Sequence, residues 1–177
     1  MPQPEPHTTH VTRQILPDLL TPGLRLVFCG TAPSRRSAAE EAYYAHPGNR
    51  FWPALHESGL VPRRLSPQAY SELLSFGIGL TDLAKHHSGN DRDLPPGAFD
   101  REALQARLRR YRPTWLAFTS KQAARAALAV AKVDYGLQSQ TLESCKLFVL
   151  PSPSGQARGH WDLRPWIELA DLSAIRR

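Results

Sequence analysis

The chain has 177 residues, close to the size of one ordinary domain, with 41% hydrophobic and 21% charged side chains. A chain of this length buries roughly 70% of its unfolded surface, so its core needs no disulfide or metal staple, and the composition excludes a disordered protein. The 22 Lys and Arg against 16 Asp and Glu leave a net charge of +6; the whole surplus lies after residue 60, a balance that suits a polyanionic partner such as nucleic acid without identifying one.

Cys29 and Cys145 are too few for a disulfide framework or a thiolate cluster. Cys29 ends an apolar run and reads as a buried free thiol. No stretch approaches the about 18 apolar residues of a membrane span, and Met1–His7 lacks the basic and apolar regions of a signal peptide. These features lead us to expect a cytoplasmic protein with no membrane association.

Residues 1–12 are polar, contain three prolines and lack periodicity, so they read as a disordered tail before a single domain over 13–177. Leu24–Cys29 is a short apolar run ended by Gly30, the pattern of a buried strand. A long polar loop is expected from Thr31 to about Arg50. Phe51–Ser58 reads as a helix closing at Gly59, and Ser66-Pro67 as the start of another that lasts to Gly77.

Ile78–Leu83 reads as a second strand, followed by a loop from Ala84 to about Pro96. Phe99–Arg112 carries Leu104, Leu108 and Tyr111 on one helical face, with Arg107 and Arg110 off it. Trp115–Phe118 is a third strand, and Thr119-Ser120 can cap a helix over Lys121–Ala131. Lys146–Leu150 is a fourth strand, and a last helix runs from about Leu163 to Ile175. Short apolar strands alternating with helices predict an α/β fold, a three-layer α/β/α sandwich around a short, mainly parallel central sheet. Ligands of such folds bind at the loops after the carboxyl ends of the strands.

Those loops carry the candidate chemistry. Tyr44 lies in a polar loop, where its ring can stack on a flat ligand such as a base. His46 has no second histidine at ligand spacing and reads as loop-structuring, while His86-His87 reads as solvated. Phe51 and Trp52 suit either core packing or a ligand. The segment Pro151–His160 combines two prolines, glycines for close approach and the single cation Arg158, a composition suited to insertion beside a nucleic-acid backbone. Arg50 and Lys85 lie in or beside the same loops and are candidate phosphate contacts. The arginines of the 99–112 helix read as a solvated face.

Four blocks occur in order: Gly30-x-x-Pro33; Tyr44-Ala45-His46-Pro47-x-Asn49-Arg50-Phe51-Trp52; Gly79-Leu80-Thr81-Asp82-Leu83; and Pro153-Ser154-Gly155-x-x-Arg158. Together they resemble the mismatch-specific uracil-DNA glycosylase family, the branch of the uracil-DNA glycosylase superfamily that includes thymine-DNA glycosylase. The resemblance implies an enzyme that flips uracil out of the duplex, at a G·U mismatch above all, and hydrolyses its N-glycosidic bond, with no cofactor and no metal. It implies double-stranded DNA as partner, single strands being an alternative, and a monomer. By position, Gly30, Thr31, Ala32, Pro33 and Ser34 would line the base pocket with Tyr44, Asn49 and Ser152. Ser154, Gly155, Gln156, Ala157 and Arg158 would enter the duplex.

The chain departs from that family where chemistry matters most. The usual G-I-N-P-G motif carries an asparagine that positions water, and Ala32 stands in its place; an alanine can neither hold nor activate water. Ser152 replaces a further asparagine, and Gln156 an apolar wedge. A carboxylate from the second loop is expected to take over, Asp93 first and Asp91 second, while Asp82 reads as structural at a strand end. A hypoxanthine-type glycosylase and a damaged-DNA or abasic-site binder without turnover are the alternatives. No G-x-G-x-x-G and no Gly-Lys-Ser phosphate loop supports an unrelated nucleotide-binding protein.

Overall fold

The computed structural model describes residues 13–157 and 159–174. The expected tail over 1–12, Arg158 and Ile175 lie outside the described residues.

The sheet has five strands: β1 (Leu26–Gly30), β2 (Ile78–Asp82), β3 (Trp115–Phe118), β4 (Gly136–Leu142) and β5 (Cys145–Val149), in the order β2-β1-β3-β5-β4. The first three pair in parallel and β5 runs parallel to β3; β4 alone is antiparallel, at the edge. Successive strand residues point to opposite faces, and β1 shows both. Leu26 and Phe28 join a core with Phe51, Trp52 and Trp166 on one side, while Val27 and Cys29 join Leu104, Leu116 and Ala124 on the other. The first side is covered by α2 (Phe51–Glu57) and α5 (Arg164–Ser173), the second by α3 (Arg101–Tyr111) and α4 (Lys121–Leu128). This is the expected three-layer sandwich. Both cysteines are buried and unpaired, and among the described residues no helix is long and apolar enough to cross a membrane.

Three expectations need correction, and one strand had no expectation. The first polar loop contains a short helix, α1 (Arg35–Glu40), begun by Ser34, whose hydroxyl accepts the Ser37 amide. The segment expected as a helix from Ser66-Pro67 is a kinked 3-10 run, Pro67–Phe76, with no side-chain cap from Ser66. The stretch before β5 forms β4, joined to it through Glu143 and Ser144, both with positive φ, the backbone of a two-residue hairpin turn. On α3 the Arg107 side chain is only 13% exposed and reaches Asp18, so it is not part of a solvated face.

The segment before β1 closes the β2 edge. Leu19 and Leu80 exchange backbone hydrogen bonds of 3.0 Å in both directions. Gly79 permits this approach, since a Cβ there would stand 2.5 Å from the Leu19 carbonyl oxygen and 2.6 Å from Leu24 Cδ1. Replacing Gly79 by alanine should therefore cost about 1–3 kcal/mol and lower the midpoint of thermal unfolding by roughly 2–4 °C for each kcal/mol. An unchanged unfolding curve would contradict this packing.

Candidate active site

Parallel pairing places Gly30 of β1 opposite Asp82 of β2, and Cys29 opposite both Thr81 and Phe118. The strands end side by side, and the chain leaving them surrounds a cleft of about 430 Å³, within the roughly 300–1,000 Å³ of small-molecule sites. Three backbone bonds lash the second loop to the first: Leu83 to the Gly30 carbonyl at 3.0 Å, Ala84 to Thr31 at 2.7 Å, and Gly89 to Pro33 at 2.9 Å.

Most of the expected base-pocket residues meet here. Thr31, Ala32, Pro33, Ser34, Tyr44, Asn49 and Ser152 line the cleft, as do Ser154, Gln156 and Ala157. Gly30 stands at the floor: a Cβ on it would lie 2.8 Å from Asp82 Oδ1, 3.3 Å from Tyr44 Oη and 3.5 Å from Thr119 Oγ1. A glycine is required because three side-chain oxygens converge on its open side. Tyr44 stacks on Phe51 with ring centroids 3.9 Å apart and lines the cleft. Its hydroxyl lies 3.2 Å from Thr119 Oγ1. Burial, reinforced by Asp82, pushes the Tyr44 phenol well above its ordinary range, so it stays protonated. Phe51 and Trp52 are fully packed, and the Trp52 indole donates to the Tyr43 carbonyl at 3.0 Å.

Local hydrogen bonds hold the walls. Asn49 Oδ1 accepts the Phe51 amide at 2.9 Å and starts α2. His46 Nδ1 accepts the Gly48 amide at 2.9 Å, the structuring role expected of it. Ser152 Oγ accepts the Ser154 amide at 3.2 Å, and Ser154 Oγ the Gln156 amide at 3.3 Å. Gly155 packs on the Gly48 backbone, where a Cβ would stand 3.2 Å from the Gly48 carbonyl oxygen.

The structure redistributes the charged candidates. Asp93, the first choice for catalysis, does not line the cleft, whereas Asn90, Asp91 and Arg92 do. These residues enter or form the 3-10 turn Asp91–Asp93, and Asp91 turns back so that its Oδ1 accepts the Thr31 hydroxyl at 2.6 Å. Lys85, expected as a phosphate contact, is not at the surface. It is 4% exposed and pairs with Asp18 Oδ1 at 2.8 Å, beneath the cleft. Arg50 is half-buried: its amide donates to the Pro153 carbonyl at 2.8 Å, and its guanidinium lies 5.5 Å from the Trp161 ring centre. It ties the Asn49 and Pro153 loops together. Among the described residues the cation that lines the cleft is Arg92, whose position beside Asp91 was its only sequence signal.

Asp82, read from sequence as structural, lies at the cleft floor. Its Oδ2 is buried with no hydrogen-bond partner among the described residues. Below it Asp18 joins Lys85, Arg107 and the Thr81 hydroxyl, the last at 2.6 Å, and Arg107 also donates to the Asp82 carbonyl at 3.1 Å. Burial lifts the Asp82 carboxyl to about 6; Lys85 and Arg107 oppose the shift, and Asp18 adds to it.

The five-stranded α/β sandwich thus carries a cleft with an aromatic wall at Tyr44 and carboxylates at Asp82 and Asp91. A family model for the uracil DNA glycosylase superfamily matches residues 17–175, and the chain belongs to that superfamily. Its members are DNA glycosylases, hydrolases of the bond between base and sugar. The fold is similar to the solution structure of a candidate uracil DNA glycosylase from Methanosarcina acetivorans, at a TM-score of 0.67 and 18% identity over 92% of this chain and 98% of that one.

Removing one partner of a buried ion pair strands the other charge, at about 3–5 kcal/mol. Lys85→Met should therefore lower thermal stability by that order, because Asp18 loses its closest cation. A variant with unchanged stability but weaker DNA binding would instead make Lys85 a phosphate contact.

Proposed function

We propose that the protein excises uracil from double-stranded DNA, G·U mismatches foremost, as a monofunctional glycosylase in which Asp91 replaces the missing motif amide. The observation that carries this reading is Asp91 Oδ1 held by Thr31 at 2.6 Å on the wall of a cleft that Ala32 also lines, the residue that the family resemblance aligns with the water-positioning asparagine. A base within the stack is out of reach, so it must be extruded at a cost of a few kcal/mol, least at a mismatch. Its ring then lies against Tyr44. As the glycosidic bond breaks, its electron pair leaves with the base and positive charge develops on the sugar.

Asp91 serves that transition state in two ways. Its negative charge stabilises the developing cation, and the oxygen not engaged by Thr31 accepts a proton from the attacking water. Thr31 fixes the carboxylate, which an exposed turn would otherwise leave free to rotate. Hydrogen-bond donors around the leaving base, the Tyr44 and Thr119 hydroxyls among them, take up its negative charge. Ser154, Gly155, Gln156 and Ala157 form the segment that enters the duplex, and Arg92 at the rim contacts phosphate. The protein acts as a monomer, and its two buried, unpaired cysteines suit the reducing cytoplasm.

The test is single-turnover cleavage of a G·U duplex by the wild type, Asp91→Asn and Asp93→Asn. Asp91→Asn should lose about 100- to 10,000-fold in rate, the usual contribution of a positioned acid–base group, while Asp93→Asn stays near wild type. Equal losses, or loss only at Asp93, would overturn the assignment. Wild-type binding without cleavage would make the protein a damaged-DNA binder, and cleavage confined to hypoxanthine would shift the lesion. Affinity for the duplex should also fall linearly with the logarithm of salt concentration; a flat response would contradict a phosphate-binding cleft.

A further inference from the structure

We propose that a second cavity, separated from the cleft by the 44–49 wall, holds the phosphate and sugar of a nucleotide next to the extruded one in the same DNA strand. This rests on the glycosylase reading above and extends its DNA path beyond the flipped base.

The two cavities are neighbours because one segment divides them. Tyr44 and Asn49 line both. The chain between them is fixed by its own hydrogen bonds: the Ala45 amide donates to Ser37 Oγ at 3.1 Å, and the Asn49 amide to the His46 carbonyl at 2.9 Å. Beyond this wall lies a space of about 500 Å³, within the roughly 300–1,000 Å³ of small-ligand sites and more than a bare phosphate fills. The buried Trp52 and Leu65 form part of its lining. Because the Trp52 indole N–H is engaged by the Tyr43 carbonyl at 3.0 Å, Trp52 offers the cavity apolar surface alone.

The remaining lining supplies donors. Arg64 is exposed, and among the described residues it makes no ion pair and no side-chain hydrogen bond, whereas its neighbour Arg63 pairs with Glu72. Ser66 opens the 3-10 run Pro67–Phe76 without capping it, so its hydroxyl is unengaged as well. His46 Nδ1 accepts the Gly48 amide at 2.9 Å, which places the proton of the neutral ring on Nε2 and makes that nitrogen a donor. Among the described residues no Asp or Glu lines the cavity. A guanidinium, a hydroxyl and an imidazole N–H set beside apolar carbon suit an anionic phosphate that carries a sugar, the repeating unit of a nucleic-acid backbone.

Connectivity selects the strand. A nucleotide whose base lies in the cleft stays joined to its neighbours through its own phosphates, so its backbone has to leave the cleft over the rim. The 44–49 wall is the part of that rim with a cavity and an unpaired cation behind it. The opposite strand has no such tether to the cleft.

The experiment measures affinity for a duplex with an uncleavable 2′-fluorinated deoxyuridine opposite guanine, for the wild type, Arg64→Gln and Arg64→Lys. Neutral methylphosphonates are placed one at a time at the phosphates flanking the fluorinated nucleotide and at those facing them in the other strand. Arg64 is exposed, and thermal unfolding checks that its variants fold. Arg64→Gln should bind the unmodified duplex roughly two- to fivefold more weakly, the range of an exposed charge pair. Its dependence of log affinity on log salt should be shallower by about one, and Arg64→Lys should keep the wild-type slope. One methylphosphonate in the extruded strand should weaken the wild type by the same factor and leave Arg64→Gln unchanged, the coupling expected of two groups in contact. Wild-type affinity and slope in Arg64→Gln, losses that add at every position, or coupling confined to the other strand overturns the proposal. Excision of uracil from a cleavable G·U duplex without that coupling leaves the glycosylase reading standing and removes the second cavity from the DNA path. Coupling without excision by the wild type assigns the cavity and overturns the glycosylase reading.

Discussion

Three parallel strands that end in register are the constraint on which the site depends. Because Gly30 sits opposite Asp82 and Cys29 opposite Phe118, the residues at and just after the strand ends come together without any loop having to reach. The chain supports that register from below. Leu19 pairs with Leu80 at the sheet edge, which places Asp18 where it can hold Lys85, Arg107 and Thr81 at once. One acidic side chain thus connects the N-terminal segment, β2, the loop after β2 and α3. A cluster of this kind adds little net stability, since desolvation offsets most of the attraction. Its effect is to fix geometry and to set the charge beneath the cleft.

The cleft itself divides into a rigid floor and a more exposed rim. Gly30, Asp82, Thr119 and Tyr44 lie over the packed sheet, with Tyr44 stacked on Phe51 and Phe51 edge-on to Phe28 and Trp166. The rim consists of the Asn90–Arg92 turn and the Ser152–Ala157 segment, held mainly by short local hydrogen bonds. This division suits an enzyme that has to recognise one flat ring closely while admitting a long and variable polymer. It also separates two carboxyl groups by environment: Asp91 exposed at the rim beside Thr31, Asp82 buried at the floor. Two acids in one cleft can then perform different tasks.

Much of this was legible in the sequence because its signals are local. Four of the five strands are short apolar runs, and of the residues that the resemblance grouped, Thr31–Ser34, Tyr44, Asn49 and Ser152 line one cleft. The rest depends on information that periodicity does not carry. β4 is polar along most of its exposed length, and its hairpin uses Glu143 and Ser144 at positive φ, where glycine or asparagine would have signalled the turn. Lys85 and Arg107 resembled surface cations because their partner, Asp18, lies 67 and 89 residues away in the chain. Asp91 and Asp93 occupy one 3-10 turn, and only the folded chain distinguishes them, by the Thr31 contact and the cleft lining of Asp91. Asp82 looked structural because a strand-end acid is commonplace; its unpartnered oxygen emerges only when the three strand ends are assembled.

The most direct test of the account is the amount of free uracil released when the wild-type protein, in excess, meets a duplex with a single G·U pair. The account predicts release of one uracil per duplex, leaving an abasic site. Tight, salt-sensitive binding with no base released, under conditions where the protein is folded and the duplex saturated, would contradict it.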